Sequence, residues 1–331
     1  MIVLPILAVI LAVFIDFSLG DPKNKFHPTV WVGALIGKLV QFSQGHSPTT
    51  KRLAGVVLTI SVTTLVVVTL YFLNLGLDYI SSVFDFMLEV QLIVLIFSVV
   101  VTGVLLKTTI AIKGMQKHAE LIIRALSKDN LDDARTKLSM IVKRNTNNLD
   151  RQHIMSATLE SISENTVDGI TGPLFYYAIF GLPGAFIYRT INTIDSMIGY
   201  KTDLFRNLGW FGANCDKILN YLPARLTSLV MILAVMIIGG DWRHSIEIMR
   251  RDGSKTESPN AGYPMATLAG ALGARFEKID HYILGDGSSE LTERHFKSAI
   301  SIMKITTVLF CAIFMIPMIV MLSYLGWWLY A

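Results

Sequence analysis

Residues 53–73 read LAGVVLTISVTTLVVVTLYFL, 21 consecutive positions without a charged side chain. A helix rises 1.5 Å per residue, so a run of about 20 apolar residues crosses the roughly 30 Å of a bilayer's hydrocarbon core. Lipid offers backbone amides no hydrogen-bond partner, so a segment of this kind is a helix. Val90–Leu106 and Ile305–Ala331 are also free of charge, the first near the lower length limit, and the chain opens with an uncharged run from Met1 to Ile15. Four spans are therefore expected, at 1–20, 53–73, 90–106 and 305–330. The rings of Trp327, Trp328 and Tyr330 suit the headgroup level.

Composition agrees. The 331 residues are 52% hydrophobic and 16% charged, with a mean hydropathy of +0.52, whereas a soluble domain carries about 25% charged residues. The expected fold is all-α: one polytopic integral membrane helical bundle over 1–331, with helical polar loops. The net charge of +4 is dispersed beside apolar segments, and no basic stripe with interleaved aromatics points to nucleic acid. The bilayer is the expected partner. Cys215 and Cys311 are too few for a disulfide framework or a zinc cluster. The N-terminal run lacks a basic leader and a small-residue cleavage site, so it is expected to be retained.

Loop charges set the orientation. Asp21–Arg52 holds five Lys/Arg against one acidic residue, Asn74–Glu89 holds three acidic residues and no basic one, and Lys107–Arg151 holds ten Lys/Arg against five acidic residues. The positive-inside rule places the first and third in the cytoplasm, as expected for a plasma-membrane protein. Residues 169–188 are apolar but broken by glycine and proline, and 226–240 is only fifteen residues long. Short or broken runs of this kind suit re-entrant elements, and Arg189, Lys201, Arg206, Lys217 and Arg225 between them suit the cytoplasm. Neither run is expected to cross fully, which puts every large polar loop on the cytoplasmic face. Gln116–Ser163 reads as helical, with Ile122, Ala125 and Leu126 at three- and four-residue spacings.

In ESISENTVDG, residues 160–169, Glu160, Glu164 and Asp168 stand four apart, on one face of a helix. Stacked carboxylates repel, and a divalent cation such as magnesium offsets that repulsion; the alternative is a solvated acidic face. In RTINTIDSMIGY, residues 189–200, Arg189, Asn192, Asp195 and Ser196 share a helical side. They suit a phosphate or carboxylate grip, or a buried Arg–Asp pair joining helices. Residues 214–227, NCDKILNYLPARLT, bring Asp216, Asn220 and Arg225, the last a ligand or a topological anchor. Residues 258–273, SPNAGYPMATLAGALG, supply small residues for an anion cradle or for close packing. The loop GDPKNKFHPTVWVG, residues 20–33, follows Asp16 and carries Asp21 and His27, a base or a structural histidine. No phosphate loop, GxSxG, HExxH or CxxC occurs; GALIGK at 33–38 has the wrong spacing and is followed by Leu39.

Taken in order, GDPKNKFHPTVWVG, KRLAGV, ESISENTVDGITGPLFYYAIFGLPGAFIYRTINTIDSMIGYK, NYLPARLT and SPNAGYPMATLAGALG resemble the successive blocks of the CobD/CbiB family of adenosylcobinamide-phosphate synthases, over about residues 10 to 300. The resemblance implies a membrane ligase that joins a carboxylate of the corrinoid adenosylcobyric acid to the amine of 1-aminopropan-2-ol O-phosphate, or of aminopropanol, with ATP and magnesium. On that implied reaction Glu160, Glu164 and Asp168 are metal and catalytic candidates, and Arg189 and Arg225 are phosphate clamps. Asn165, Asn192, Ser196 and Asn260 are further substrate or phosphate contacts, and Asp195 or His27 is the base for the incoming ammonium. Two positions depart from the family pattern: Arg144-Asn145-Thr146 stands where Arg-Asp-Thr is usual, and Asp216-Lys217 where paired aspartates are common. A homo-oligomer, or a complex with other cobalamin-assembly membrane enzymes, is compatible with this class. The competing classes are an AmpE-like membrane regulator and a corrinoid transporter; the intact ENTVDG and RTINTIDS blocks favour the ligase.

Overall fold

The computed structural model describes residues 2–42, 47–83, 88–200, 202–203 and 205–327. Trp328 and Tyr330 of the expected aromatic anchor, Lys201 of the basic loop and Asp85 of the acidic one lie outside the described residues. In chain order the helices are α1 Val3–Ser18, α2 Pro28–Gln41, α3 Pro48–Val83, α4 Leu88–Lys107, α5 Ile112–Ser127, α6 Leu131–Leu138, α7 Arg151–Thr166, α8 Gly172–Ile198 and α9 Trp210–Ile237. After them come α10 Trp242–Asp252, α11 Gly262–Leu272, an antiparallel hairpin of β1 Phe276–Lys278 and β2 Tyr282–Leu284, α12 Glu293–Leu309 and α13 Ile316–Tyr324. The fold is all-helical apart from that hairpin.

Among the described residues five helical runs are long and apolar enough to cross a membrane: Pro48–Leu77, Val90–Ser127, Arg151–Ile198, Trp210–Ile237 and Glu293–Tyr324, with Val3–Ser18 a shorter apolar helix. The chain is a multi-pass membrane protein. Residues 169–188, expected as a broken element, lie inside the third of these runs, and residues 226–237 of the expected short element lie inside the fourth, so length does not exclude a crossing by either. They differ from the first run in their surroundings. In the most apolar stretch of Pro48–Leu77 22% is buried by protein, against 61% in Arg151–Ile198 and 56% in Trp210–Ile237.

The chain divides into two compact units. The first comprises Met1–Ala111, Gly172–Leu219 and Ile313–Ala331. Here α2, α3 and α8 meet around Ile36, Val40, Leu58, Val62, Ile194, Ile198 and Leu208. Leu53, Ile60 and Leu65 of α3 and Ile93 and Ile96 of α4 stay exposed, as befits side chains whose neighbour is lipid. Within α8 the helix breaks at Gly181, whose φ of +61° and ψ of −154° only glycine adopts without strain, just ahead of Pro183.

The second unit comprises Ile112–Thr171 and Asn220–Ala312. The segments read as polar loops form a unit because their helices have apolar faces to bury. On α5, Ile112, Met115, Ala119, Ile122 and Leu126 are all buried, the three-four alternation of an amphipathic helix. The continuous helix expected over Gln116–Ser163 is interrupted twice, for local reasons. Asp129 turns to φ 54° and Asn130 caps α6. Further on, Asn145 Oδ1 accepts from the Asn147 amide at 2.9 Å, and Asp150 caps α7 through the His153 amide at 2.9 Å. Helix α7 is buried on every side from Ile154 to Ser163 despite its polar composition. Three of its hydroxyls are satisfied by the helix's own backbone: Thr158 donates to the Ile154 carbonyl at 2.8 Å, Ser163 to that of Glu160 at 2.8 Å and Thr166 to that of Ile162 at 2.7 Å. A single π turn, Val167–Thr171, then leads out of α7.

Candidate functional site

The centre of the second unit is Glu160 on α7, only 4% exposed, so the solvated acidic face is not what the chain builds. A buried carboxylate is tolerated only when its lone pairs are met, and here they are. Glu160 Oε1 accepts from Arg144 Nη2 at 3.0 Å and from Ser156 Oγ at 2.8 Å, and Oε2 accepts from the Tyr282 hydroxyl at 2.8 Å. Hydrogen bonds to a charged group are worth about 1.5–3 kcal/mol each. Burial first, then the charge and hydrogen bond of Glu160, push the Tyr282 phenol well above its ordinary range; Arg144 opposes this and Glu164 adds to it. Tyr282 is therefore a neutral donor, with Glu164 within electrostatic reach.

The partners arrive from elements with no part in the sequence motif. Ser156 is one turn earlier on α7, and its Oγ also accepts from the Glu277 amide at 2.8 Å, stitching β1 to the helix. Tyr282 opens β2, whose far end is fixed by Asp252. That carboxylate is fully buried and accepts from Arg251 Nε at 2.8 Å, Arg251 Nη2 at 2.7 Å and the Gly285 amide at 2.8 Å, with Lys255 also paired to it. Burial alone would raise the Asp252 pKa, but these donors outweigh it and hold it well below the usual carboxylate range. Gly285 has φ +82°, and a Cβ there would lie 2.1 Å from the Ala274 carbonyl, so no other residue fits that turn.

The three carboxylates of ESISENTVDG do not share one regular helix. Glu160 and Glu164 lie on α7, but Asp168 falls in the π turn, where the four-residue repeat of an α-helix no longer holds. Glu164, Asn165 and Asp168 are half-buried, and Asn165 donates to the Ser161 carbonyl at 2.9 Å. Among the described residues no three His, Cys, Asp or Glu side chains converge as a metal site. The oxygens of Glu160 are taken up by three donors; Glu164 and Asp168 are the other two carboxylates of the block.

Elsewhere in the second unit Arg225 and Asn260 come together. The Arg225 guanidinium lies between the rings of Tyr221 and Tyr263, 3.6 and 4.4 Å from their centroids. Its Nη1 donates to the Tyr221 carbonyl at 2.7 Å and to Asn260 Oδ1 at 3.0 Å, and its Nη2 to the Pro259 carbonyl at 3.4 Å.

The first unit holds the remaining candidates. Arg189 Nη1 donates to Asn192 Oδ1 at 3.4 Å, and Asn192 Nδ2 to Asp216 Oδ1 at 3.3 Å, so Asp216 joins the expected pair. Ser196 is exposed and Asp195 half-buried. His27 Nε2 lies 3.7 Å from Asp21, and Asp21 pairs with Lys107, which also reaches Asp16 Oδ1 at 3.1 Å. Lys107 and Asp16 are 3% and 0% exposed. Burial raises the Asp21 pKa, but hydrogen bonds from His27 and Lys107 outweigh it and lower it to about 2. Sequence reasoning missed Arg144, Ser156, Tyr282 and Lys107 as site neighbours. For Lys107 a signal existed, since it and Asp16 are opposite charges at the ends of two apolar runs.

Comparison with known proteins places this geometry. The family described as CobD/Cbib protein matches residues 9–320. The chain is 36% identical over 301 residues (91% of this chain, 94% of the relative) to a protein of Methanothermobacter thermautotrophicus named "Probable cobalamin biosynthesis protein CobD". It is 38% identical over 285 residues (85% and 87%) to "Cobalamin biosynthesis protein CobD" of Dehalococcoides mccartyi. A similarly named protein of Thermoplasma acidophilum is 34% identical over 320 residues (97% and 99%). No solved structure matches the chain. The blocks that frame Glu160, Arg189, Arg225 and His27 all fall within the matched span, and the chain belongs to the CobD/CbiB family of cobalamin biosynthesis proteins.

Proposed function

We propose that the protein is a membrane-embedded acid–amine ligase, joining a carboxylate of adenosylcobyric acid to 1-aminopropan-2-ol O-phosphate, or to aminopropanol, and giving adenosylcobinamide (phosphate). The observation that carries this reading is the family match over residues 9–320. At neutral pH a carboxylate resists attack by an amine, so the reaction needs activation. A substrate carboxylate oxygen attacks the γ-phosphorus of ATP with loss of ADP, and the amine then displaces phosphate from the acyl carbon and loses a proton. Magnesium, when bound with the nucleotide, supplies charge neutralisation on the phosphates.

The residues of this chain supply positioning and charge. Glu164 and Asp168 are the carboxylates suited to the magnesium–nucleotide. Arg189, held by Asn192 and Asp216, offers a planar cation to an oxyanion. His27 beside Asp21 is suited to accept the ammonium proton, as is Asp195. The large basic loops suit the cytoplasmic face of the cell membrane, where nucleotide and corrinoid are available.

Amide formation by the purified protein in nanodiscs, with adenosylcobyric acid, aminopropanol phosphate, magnesium and ATP, tests the proposal. Product from the wild type and none from Glu164→Gln is the expected result. A wild type that binds corrinoid yet forms no amide with any nucleotide or amine sinks the ligase reading in favour of transport or regulation.

A further inference from the structure

Within the second unit two arginines compare directly. Arg225, nominated by sequence as a phosphate clamp, spends its donors on the Tyr221 and Pro259 carbonyls and on Asn260, and both its faces on tyrosine rings. It ties the 258–263 turn to α9. Arg144, in the irregular stretch before α7, is used differently. Its side chain is 16% exposed, and among the described residues its one hydrogen bond runs from Nη2 to Glu160. Glu160 is in turn immobilised by Ser156 and Tyr282. A guanidinium aimed by a fixed carboxylate, with its remaining N–H groups still to be used, is the arrangement that grips a planar or tetrahedral oxyanion through a bidentate fork.

We infer that Arg144 is the oxyanion-binding arginine of this unit and that Glu160 is its positioning residue rather than a metal ligand. The ligand class is a phosphate ester or a carboxylate. The inference deepens the ligase reading, whose phosphorylated amine, nucleotide and corrin carboxylates are all oxyanions.

Equilibrium binding to the full-length protein in nanodiscs tests it, with three probes offered separately: aminopropanol phosphate against aminopropanol, magnesium–ATP, and adenosylcobyric acid. Arg144→Lys keeps the charge and loses the fork, and should weaken one of the oxyanion probes about 10- to 100-fold. The probe affected identifies the source of the oxyanion. Glu160→Gln should weaken the same probe, and Arg294→Lys, exposed on α12, should not. Unchanged affinity for all three probes in Arg144→Lys and Arg144→Gln overturns the inference, as does a wild type that binds none of them. The ligase reading fails separately. If no amide forms while Arg144-dependent binding persists, the arginine assignment stands without it; if amide forms and Arg144 variants bind and turn over normally, only the arginine assignment is lost.

Discussion

Lys107 in the first unit and Glu160 in the second are both buried ions held by side chains distant in sequence, yet they are built for opposite ends. Lys107, a compact point charge, is shared between Asp16 and Asp21, joining the end of α1 and the loop after it to the end of α4. Glu160 is surrounded by three donors, and one of them, Arg144, keeps N–H groups in reserve. The first centre closes a fold, whereas the second holds a donor ready for something else. Breaking each should therefore give different signatures.

The largest effect is expected at the closed centre. Lys107→Met leaves fully buried Asp16 without this cation, and should lower stability by about 3–5 kcal/mol, read as a large drop in the thermal midpoint of the detergent-solubilised protein. The double variant Asp16→Asn/Lys107→Met should recover part of the loss; if it recovers none, the pair is not the source of the stability. Glu160→Gln should lower stability by about 2–3 kcal/mol, because its three donors then meet a neutral amide, and should lower amide formation as well. A variant that melts early yet turns over normally would reduce the second centre to a structural one.

Tyr282→Phe removes a single charge-assisted hydrogen bond and should have a smaller effect, about 1.5–2 kcal/mol, visible in a urea or thermal titration. An effect near zero would show that Arg144 and Ser156 suffice to hold Glu160. The smallest effect belongs to Asp21 and appears only in acid. Its folded pKa of about 2 lies below its ordinary value of 3.8, so its contribution is complete above pH 3.8 and disappears as pH falls through about 2. Wild type and Asp21→Asn should differ in stability above about pH 4 and converge near pH 2. Curves separated by a constant offset through that window would mean that the carboxylate charge is not what Lys107 and His27 hold.

Much of the molecule was legible from periodicity and charge. The expected spans 53–73 and 90–106, and residues 305–324 of the last one, lie in helical runs able to cross a membrane, because an uncharged stretch of that length has one stable conformation in lipid. Helix α5 was legible from its three-four spacing. What misled was composition: SATLESISENT on α7 reads as a solvated polar helix, yet it is the buried axis of its unit, since small hydroxyls return their hydrogen bonds to their own backbone. Residues 169–188 read as broken by glycine and proline, and α8 breaks there at Gly181; 226–240 read as short, and residues 226–237 are the last part of the longer α9.

By itself, the sequence determined that the chain is a helical membrane protein, where its polar blocks lie, and which family those blocks mark, for each depends on composition, length or local spacing. Only the tertiary structure decided that Glu160 meets Arg144 and Tyr282, that Lys107 serves Asp16 and Asp21, and that Arg225 is enclosed by tyrosines. Apart from Arg225 and Tyr221, which are one turn apart on α9, those pairings join residues 16 to 122 positions apart. Nothing in local propensity encodes them, because they are selected by the requirement that every ion removed from water find its counter-charge or its donors within the folded unit.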